Sequence, residues 1–345
     1  MAFGGSRTFY RIACAIEDAG FEIRDTIMWL YGSGFPKSMN IGLALDKKNS
    51  VESKVVNTIK EAQNKWKGWG SCLKPSFEPI IVARKPFKGS LVNNVIEYGV
   101  GGLNIDECRV ETTDNLNGGA YSKGSYSTED TVYKLGTKRL EGEYKQPEGR
   151  FPANTILTYD ENDFDEVCGG FPDTKSGKNG IRQSDGFNLN DYGKGIGIKA
   201  GMNNGEYGDS GSAARYFYCA KASKKDRDEG LEYFEQEKVN DGRQTLINNQ
   251  FQREKTLRKN IHPTVKPTKL MQYLVRLVTP KDGIILDPFM GSGSTGKAVM
   301  FENKERNADY KFIGIEKEKE YCDIAEARIN YVLNYKEQKG KKNEM

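Results

Sequence analysis

Apolar and polar positions alternate along this chain in two rhythms, and their order sets the expected fold. Phe9, Ile12, Ala13 and Ile16 recur at helical spacing, and Gly20 closes that run. Phe21 to Leu30 then alternates as a strand does, and Phe77 to Arg84 reads as a second strand. Between them, residues 41–65 carry Lys47, Lys48, Lys54, Lys60 and Lys65 and predict one or two polar, solvated helices. Ala213 to Arg227 reads as a short strand leading into a basic turn that is either solvated or placed against phosphates. Further on, Leu270, Met271, Leu274, Leu277 and Val278 give one helix its apolar face. Pro267 suits the first turn of that helix, where its missing N–H would be unpaired anyway, and Thr279-Pro280 stops it. Ile284 to Leu286 predicts a buried strand and Lys311 to Glu316 its neighbour. The last helix presents Tyr321, Ile324, Ala325, Arg328, Ile329 and Val332 on one side. Short strands alternating with helices predict an α/β fold.

A long middle region breaks the rhythm. Residues 177–211 hold ten glycines among Asn, Tyr, Ser and Lys, a composition that predicts long loops in place of a compact core. The expected organisation is therefore a core in two halves, residues 1–87 and 212–335, around an insertion over 88–211, with a charged tail at 336–345. The insertion keeps Tyr121, Tyr126, Tyr133, Tyr144, Phe187, Tyr192 and Tyr207 mixed with Lys123, Lys134, Lys138, Arg139 and Lys194. It reads either as a tolerated surface insertion or as a target-recognition region with lysines on phosphates and polar groups on base edges.

Composition narrows the class. With 52 Lys+Arg against 48 Asp+Glu the net charge is only +4, so a nucleic-acid surface must be a local patch. No apolar run reaches the length of a membrane span, and the N-terminus lacks a signal-peptide layout. Cysteines 14, 72, 108, 168, 219 and 322 form no Cys-x-x-Cys pair and are expected as reduced thiols in a cytoplasm. The one histidine, His262, leaves metal or triad chemistry without histidine partners.

The candidate chemistry gathers at residues 283–297, where the strand ending in Asp287 meets a turn punctuated by glycines. Gly291-x-Gly293-x-x-Gly296 matches a dinucleotide fingerprint, with Glu316 downstream for a ribose hydroxyl. Gly291-x-x-x-x-Gly296-Lys297 is nearly a phosphate loop, but Ala298 stands where a magnesium-binding hydroxyl belongs. S-adenosylmethionine (SAM) is the third candidate. An acid at the strand tip repels a pyrophosphate and attracts an ammonium or sulfonium, so Asp287 tilts the choice toward SAM.

The run Asp287-Pro288-Phe289-Met290-Gly291-Ser292-Gly293-Ser294-Thr295, preceded by His262-Pro263-Thr264-Val265-Lys266-Pro267, resembles the amino-methylating DNA methyltransferases of the circularly permuted class. The resemblance covers roughly residues 1–95 and 212–333. It implies a Rossmann-like SAM-dependent core with an inserted recognition region, acting on double-stranded DNA at adenine N6 or cytosine N4. It also implies a setting in a restriction–modification system or a phage. In that class Asp287, Phe289, Gly291, Gly293 and Thr295 would line the methionine end of SAM, and Glu316 would take the ribose hydroxyls. His262, Thr264 and Lys266 would flank the same pocket. The loop Gly32 to Ser38 would sit beside the target base.

The class carries its catalytic groups in a tetrapeptide of Asp, Asn or Ser, two prolines and an aromatic, and this chain has no Pro-Pro dipeptide. That strand would lie ahead of the segment matching Ala2 to Gly5, so no catalytic residue is assigned. Three expectations follow: the downstream part of a longer or split enzyme, a chain paired with a separate polypeptide carrying the strand, or a non-catalytic SAM- or DNA-binding subunit. Cytosine C5 methylation needs a cysteine after a proline, and no Pro-Cys occurs.

Overall fold

The structure, a computed structural model, describes residues 1–31, 38–49, 64–112, 116, 147–160, 173–175, 210–222, 224–238 and 257–334. The loop around 32–37, residues 177–209 with their aromatics and lysines, and the tail 336–345 lie outside these residues. Two compact units divide the chain: Met1–Leu103 with Asn154–Asp163 and Cys219–Met345, and Asn104–Ala153 with Phe164–Tyr218. The first unit thus reaches past residue 87 and takes back part of the stretch 88–211. It does so because Thr155–Asp160 is a strand whose Ile156 and Leu157 are buried in the sheet of the first unit.

Helix α1 (Phe9–Asp18) follows strand β1 (Ala2–Phe3), and Gly20 beyond it takes φ +90°. The five-stranded sheet runs in the order β1, β3 (Phe77–Arg84), β2 (Glu22–Tyr31), β4 (Thr155–Asp160), β7 (Tyr218–Ala222). Strand β3 is antiparallel to both β1 and β2, and β2 is parallel to β4. Ile27, Trp29, Ile80, Ile81, Ile156 and Leu157 make its core. The Trp29 indole N–H is satisfied by the Thr158 hydroxyl at 2.8 Å, as a buried donor requires. Of the helical stretch expected over 41–65, α2 (Ile41–Asn49) is a described element. Helix α3 (Leu91–Tyr98) is capped by the Ser90 hydroxyl and ends on Gly99 in the left-handed region.

The C-terminal part of the first unit is built on β10 (Ile284–Asp287) and β11 (Lys311–Gly314), a parallel pair in register from Ile284↔Lys311 to Asp287↔Gly314. Helix α4 (Lys224–Asp228), helix α5 (Thr268–Val278), helix α6 (Ser294–Arg306) and helix α7 (Lys319–Leu333) surround it in sequence. Pro267 sits one place earlier than expected, at the N-cap of α5. Ile285 and Phe312 face a core of Val275, Val299, Ala308 and Tyr310. The buried Glu302 carboxylate of α6 takes two hydrogen bonds from Arg276 of α5, at 2.6 and 2.9 Å, which locks the two helices in register. The expectation of a fully buried strand holds for one face only. Ile284 and Leu286 are 65% and 58% exposed, and Ile313 is 51% exposed. Among the described residues, the outer edges of both β10 and β1 lack a strand neighbour. The architecture is α/β, with β10–α6–β11 as a strand–turn–helix–strand unit of the doubly wound kind.

Candidate functional site

The turn between β10 and α6 is shaped by three glycines with separate tasks. Gly291 takes φ +55°, and a Cβ there would stand 2.6 Å from Nε2 of His262, so its absence lets the imidazole close over the turn. Gly293 takes φ +73° as the N-cap of α6, and a Cβ would meet the Ala325 backbone at 2.9 Å. Gly296 lets α6 approach Ile329 and Phe312.

Asp287 and Glu316, at the ends of adjacent parallel strands, both turn toward this loop. Asp287 Oδ2 accepts the Thr295 hydroxyl at 2.5 Å and Oδ1 accepts the Phe289 N–H at 3.2 Å. Glu316 Oε2 accepts the Gly291 N–H at 2.8 Å, and Oε1 accepts those of Lys317 and Glu318. The Glu318 N–H chiefly, then those of Gly291 and Lys317, hold the Glu316 carboxyl below its ordinary pKa, so it stays ionised. Burial lowers the pKa of the Met1 α-ammonium, and the Asp287 charge opposes that shift.

His262 packs edge-on to Tyr321 at 4.7 Å, and its Nδ1 accepts the Thr264 N–H at 3.3 Å. Burial lowers its pKa despite the opposing charge of Glu316, which keeps the ring neutral at neutral pH. Asp287, Gly291, Gly293, Thr295, Glu316 and His262 therefore meet at one turn, and Thr264 is tied to it through the His262 ring. Phe289 stands at its rim, 89% exposed. Lys266 goes elsewhere: its ammonium bonds Glu78 of β3 at 2.7 Å and lies over the rings of Phe3 and Trp29. It joins the His262 segment to the five-stranded sheet.

Lys297 speaks against a phosphate loop. Its side chain is fully buried, and its ammonium is held by Asp226 Oδ1 at 2.6 Å and Glu229 Oε2 at 2.9 Å, facing away from the turn. The lysine that a phosphate loop requires is thus already neutralised, and a phosphate would meet the carboxylates of Asp287 and Glu316 in its place. At about 4 Å and an effective dielectric near 20, each such repulsion is worth about 4 kcal/mol. Arg227, read from sequence as part of a basic turn, points inward and donates to the carbonyls of Asn260 and His262. Burial first, then the Arg258 charge, pushes its pKa down to about 10. The inward pairing of Asp226, Arg227 and Arg328 escaped the sequence reading, because their partners lie between 33 and 102 residues away. One signal was available: charged residues placed on otherwise apolar helix faces, as Arg328 is in α7.

The DNA methylase family model N6_N4_Mtase matches residues 1–327. The chain is 41% identical over 81 residues to the orphan methyltransferase M.BamHII of Bacillus amyloliquefaciens, covering 23% of this chain and 28% of that protein. It is 29% identical over 146 residues to the type II methyltransferase M.HindIII of Haemophilus influenzae, covering 40% and 43%. The chain thus spans less than half the length of these relatives. The crystal structure of the M1.HpyAVI–SAM complex aligns over 95% of this chain and 72% of that one. Its identity is 17% and its TM-score 0.32, below the level at which folds can be equated. On the family match, which runs through the five-stranded sheet, the β10–β11 pair and the glycine turn, the chain belongs to the N6_N4_Mtase family of DNA methylases.

Proposed function

We propose that this chain binds SAM at the β10–α6 turn and serves a site-specific DNA methyltransferase acting on adenine N6 or cytosine N4 of double-stranded DNA. The observation that carries the reading is the pair of carboxylates, Asp287 and Glu316, bracketing a turn while Lys297, in the helix that follows, is held by Asp226 and Glu229. Asp287 and Thr295 suit the cationic methionine end, Glu316 the ribose hydroxyls, and Gly291, Gly293, His262 and Thr264 the close walls. Phe289, exposed at the rim, is placed to cover an adenine or a target base. SAM bound there would supply an electrophilic methyl group for transfer to the exocyclic amine, whose proton would pass to solvent. Lys266 supports this pocket through Glu78 instead of touching it.

The strand that would lie beside β10 is supplied, in this reading, by a polypeptide segment other than the described residues, in the same protein or in a partner chain. The unpaired edges of β10 and β1 and the exposed Ile284, Leu286 and Ile313 support it, since an open apolar strand edge invites pairing. The second unit, where Arg109 and Arg150 flank the exposed Phe151, would read the target sequence. No helix among the described residues is long and apolar enough to cross a membrane, and an enzyme acting on cellular DNA belongs in the cytoplasm.

Calorimetry with SAM and with NAD tests the cofactor reading: heat with SAM alone is expected, and heat with NAD alone would reverse it. Transfer of tritiated methyl groups to unmethylated DNA tests the activity, with the complementing segment added.

A further inference from the structure

Behind the glycine turn lies a charged cluster whose arginine the reading above leaves unused. Arg328 of α7 and Lys297 of α6 are both fully buried. Arg328 Nη1 donates to the Ser292 carbonyl at 2.6 Å and to the hydroxyls of Ser292 and Ser294, each at 3.2 Å. Its Nη2 reaches the Asp226 carbonyl at 3.2 Å. Lys297 closes the cluster on Asp226 and Glu229. The two cations and two carboxylates balance in charge, so the cluster has no reason to recruit an ion.

Stability alone explains this arrangement poorly. Apolar side chains of similar volume are often no worse than a buried ion pair. The guanidinium also leaves its Nε–H buried without a partner among the described residues, a cost that asks for a role beyond stability. What a guanidinium does and an ammonium does not is to reach several acceptors from one rigid plane. Here the acceptors are the middle residue of the glycine turn and the first residue of α6. Gly291 and Gly293 give the turn its freedom, since both occupy the left-handed region. Arg328 removes that freedom from below.

We infer that Arg328, seated on Asp226, whose carboxylate also holds Lys297, is a positioning residue that fixes Ser292 and Ser294 through their hydroxyls and the Ser292 carbonyl, and thereby holds the β10–α6 turn in its cofactor-binding shape. The inference rests on the SAM reading of the turn. Arg328 does not touch the cofactor; it acts through Ser292 and Ser294.

The test measures SAM affinity by calorimetry and melting temperature on wild type, Arg328→Met, Arg328→Lys and the double variant Ser292→Ala/Ser294→Ala. Arg328→Lys keeps the charge beside Asp226 but cannot span the three acceptors. Its melting temperature is expected to recover toward wild type relative to Arg328→Met, while SAM affinity stays reduced by on the order of tenfold in both. Affinity that returns together with melting temperature in Arg328→Lys would make the residue purely structural and overturn the inference. Should the Arg328 variants fail to fold, the serine pair decides: a loss of about threefold in affinity at unchanged melting temperature is expected, and unchanged affinity overturns the inference. Wild-type protein giving no heat with SAM would instead bring down the cofactor reading, and this inference with it.

Discussion

At the scale of single residues, the site is governed by where two carboxylates are spent. Asp287 and Glu316 are each tied to backbone N–H groups of the turn, so their charge is fixed in place before any ligand arrives. Such fixed charge needs no reorganisation when a cation binds. Asp287→Ala is expected to weaken SAM binding by about 3 kcal/mol, more than a hundredfold in Kd, since a charge-assisted contact is lost at a partly buried position. Calorimetry on the variant checks this, and an unchanged Kd removes the electrostatic basis of the cofactor reading. Asp287 and Glu316 were legible from the chain because strand ends in a strand–turn–helix unit have predictable positions. Lys297 was misleading for the opposite reason. Its spacing in the sequence matches a phosphate-binding lysine, yet Asp226, 71 residues away, draws it into the interior.

The elements tell a similar story of one face satisfied and one left open. In β10 the alternation Ile284, Ile285, Leu286 sends the middle residue into the core against Val275 and Val299 and the outer two toward solvent. A doubly wound sheet ordinarily covers both faces, so a continuous apolar run reads as buried even where one side is bare. Leu286→Lys separates docking from folding. Leu286 is 58% exposed, so the chain by itself should change in urea stability by less than about 0.5 kcal/mol. Methyl transfer to DNA with the complementing segment should fall sharply, because a lysine would face the incoming strand or the element covering it. Full activity in that reconstituted assay would show that this face takes no partner.

For the molecule as a whole, pH dependence offers a clean probe because His262 is the one histidine in the chain. Its pKa in the fold lies below the ordinary 6.5, through burial first and the cations Arg227, Arg328 and Lys266 next, with Glu316 opposing. Above about pH 6.5 folded and unfolded chains both carry it neutral. As pH falls through that value the unfolded chain takes up a proton first, so stability drops until the folded ring titrates as well. Glu316 and Asp226, both held below their ordinary values of 4.5 and 3.8, lose their contributions only at lower pH. Urea midpoints are therefore expected to decline between about pH 7 and pH 5 in wild type and to run flat over that window in His262→Gln. A parallel decline in the variant would assign the slope to other groups.

The sequence alone determined the local matters. Periodicity placed α1, β2, β3, α5, β10 and α7 to within a residue or two, because each depends on neighbours three or four positions away or two apart. It also located the glycine turn and its acid, since the left-handed φ taken at Gly291 and Gly293 favours glycine over residues with a side chain. Tertiary structure decided what spacing cannot encode. Thr155–Asp160 rejoins the first sheet across a long insertion, Lys266 leaves the turn for Glu78, and Arg328 meets Ser292 through the packing of α7 on α6. These outcomes depend on which buried charge finds which partner once the helices pack, and such pairings span distances along the chain over which residue order carries no periodic signal.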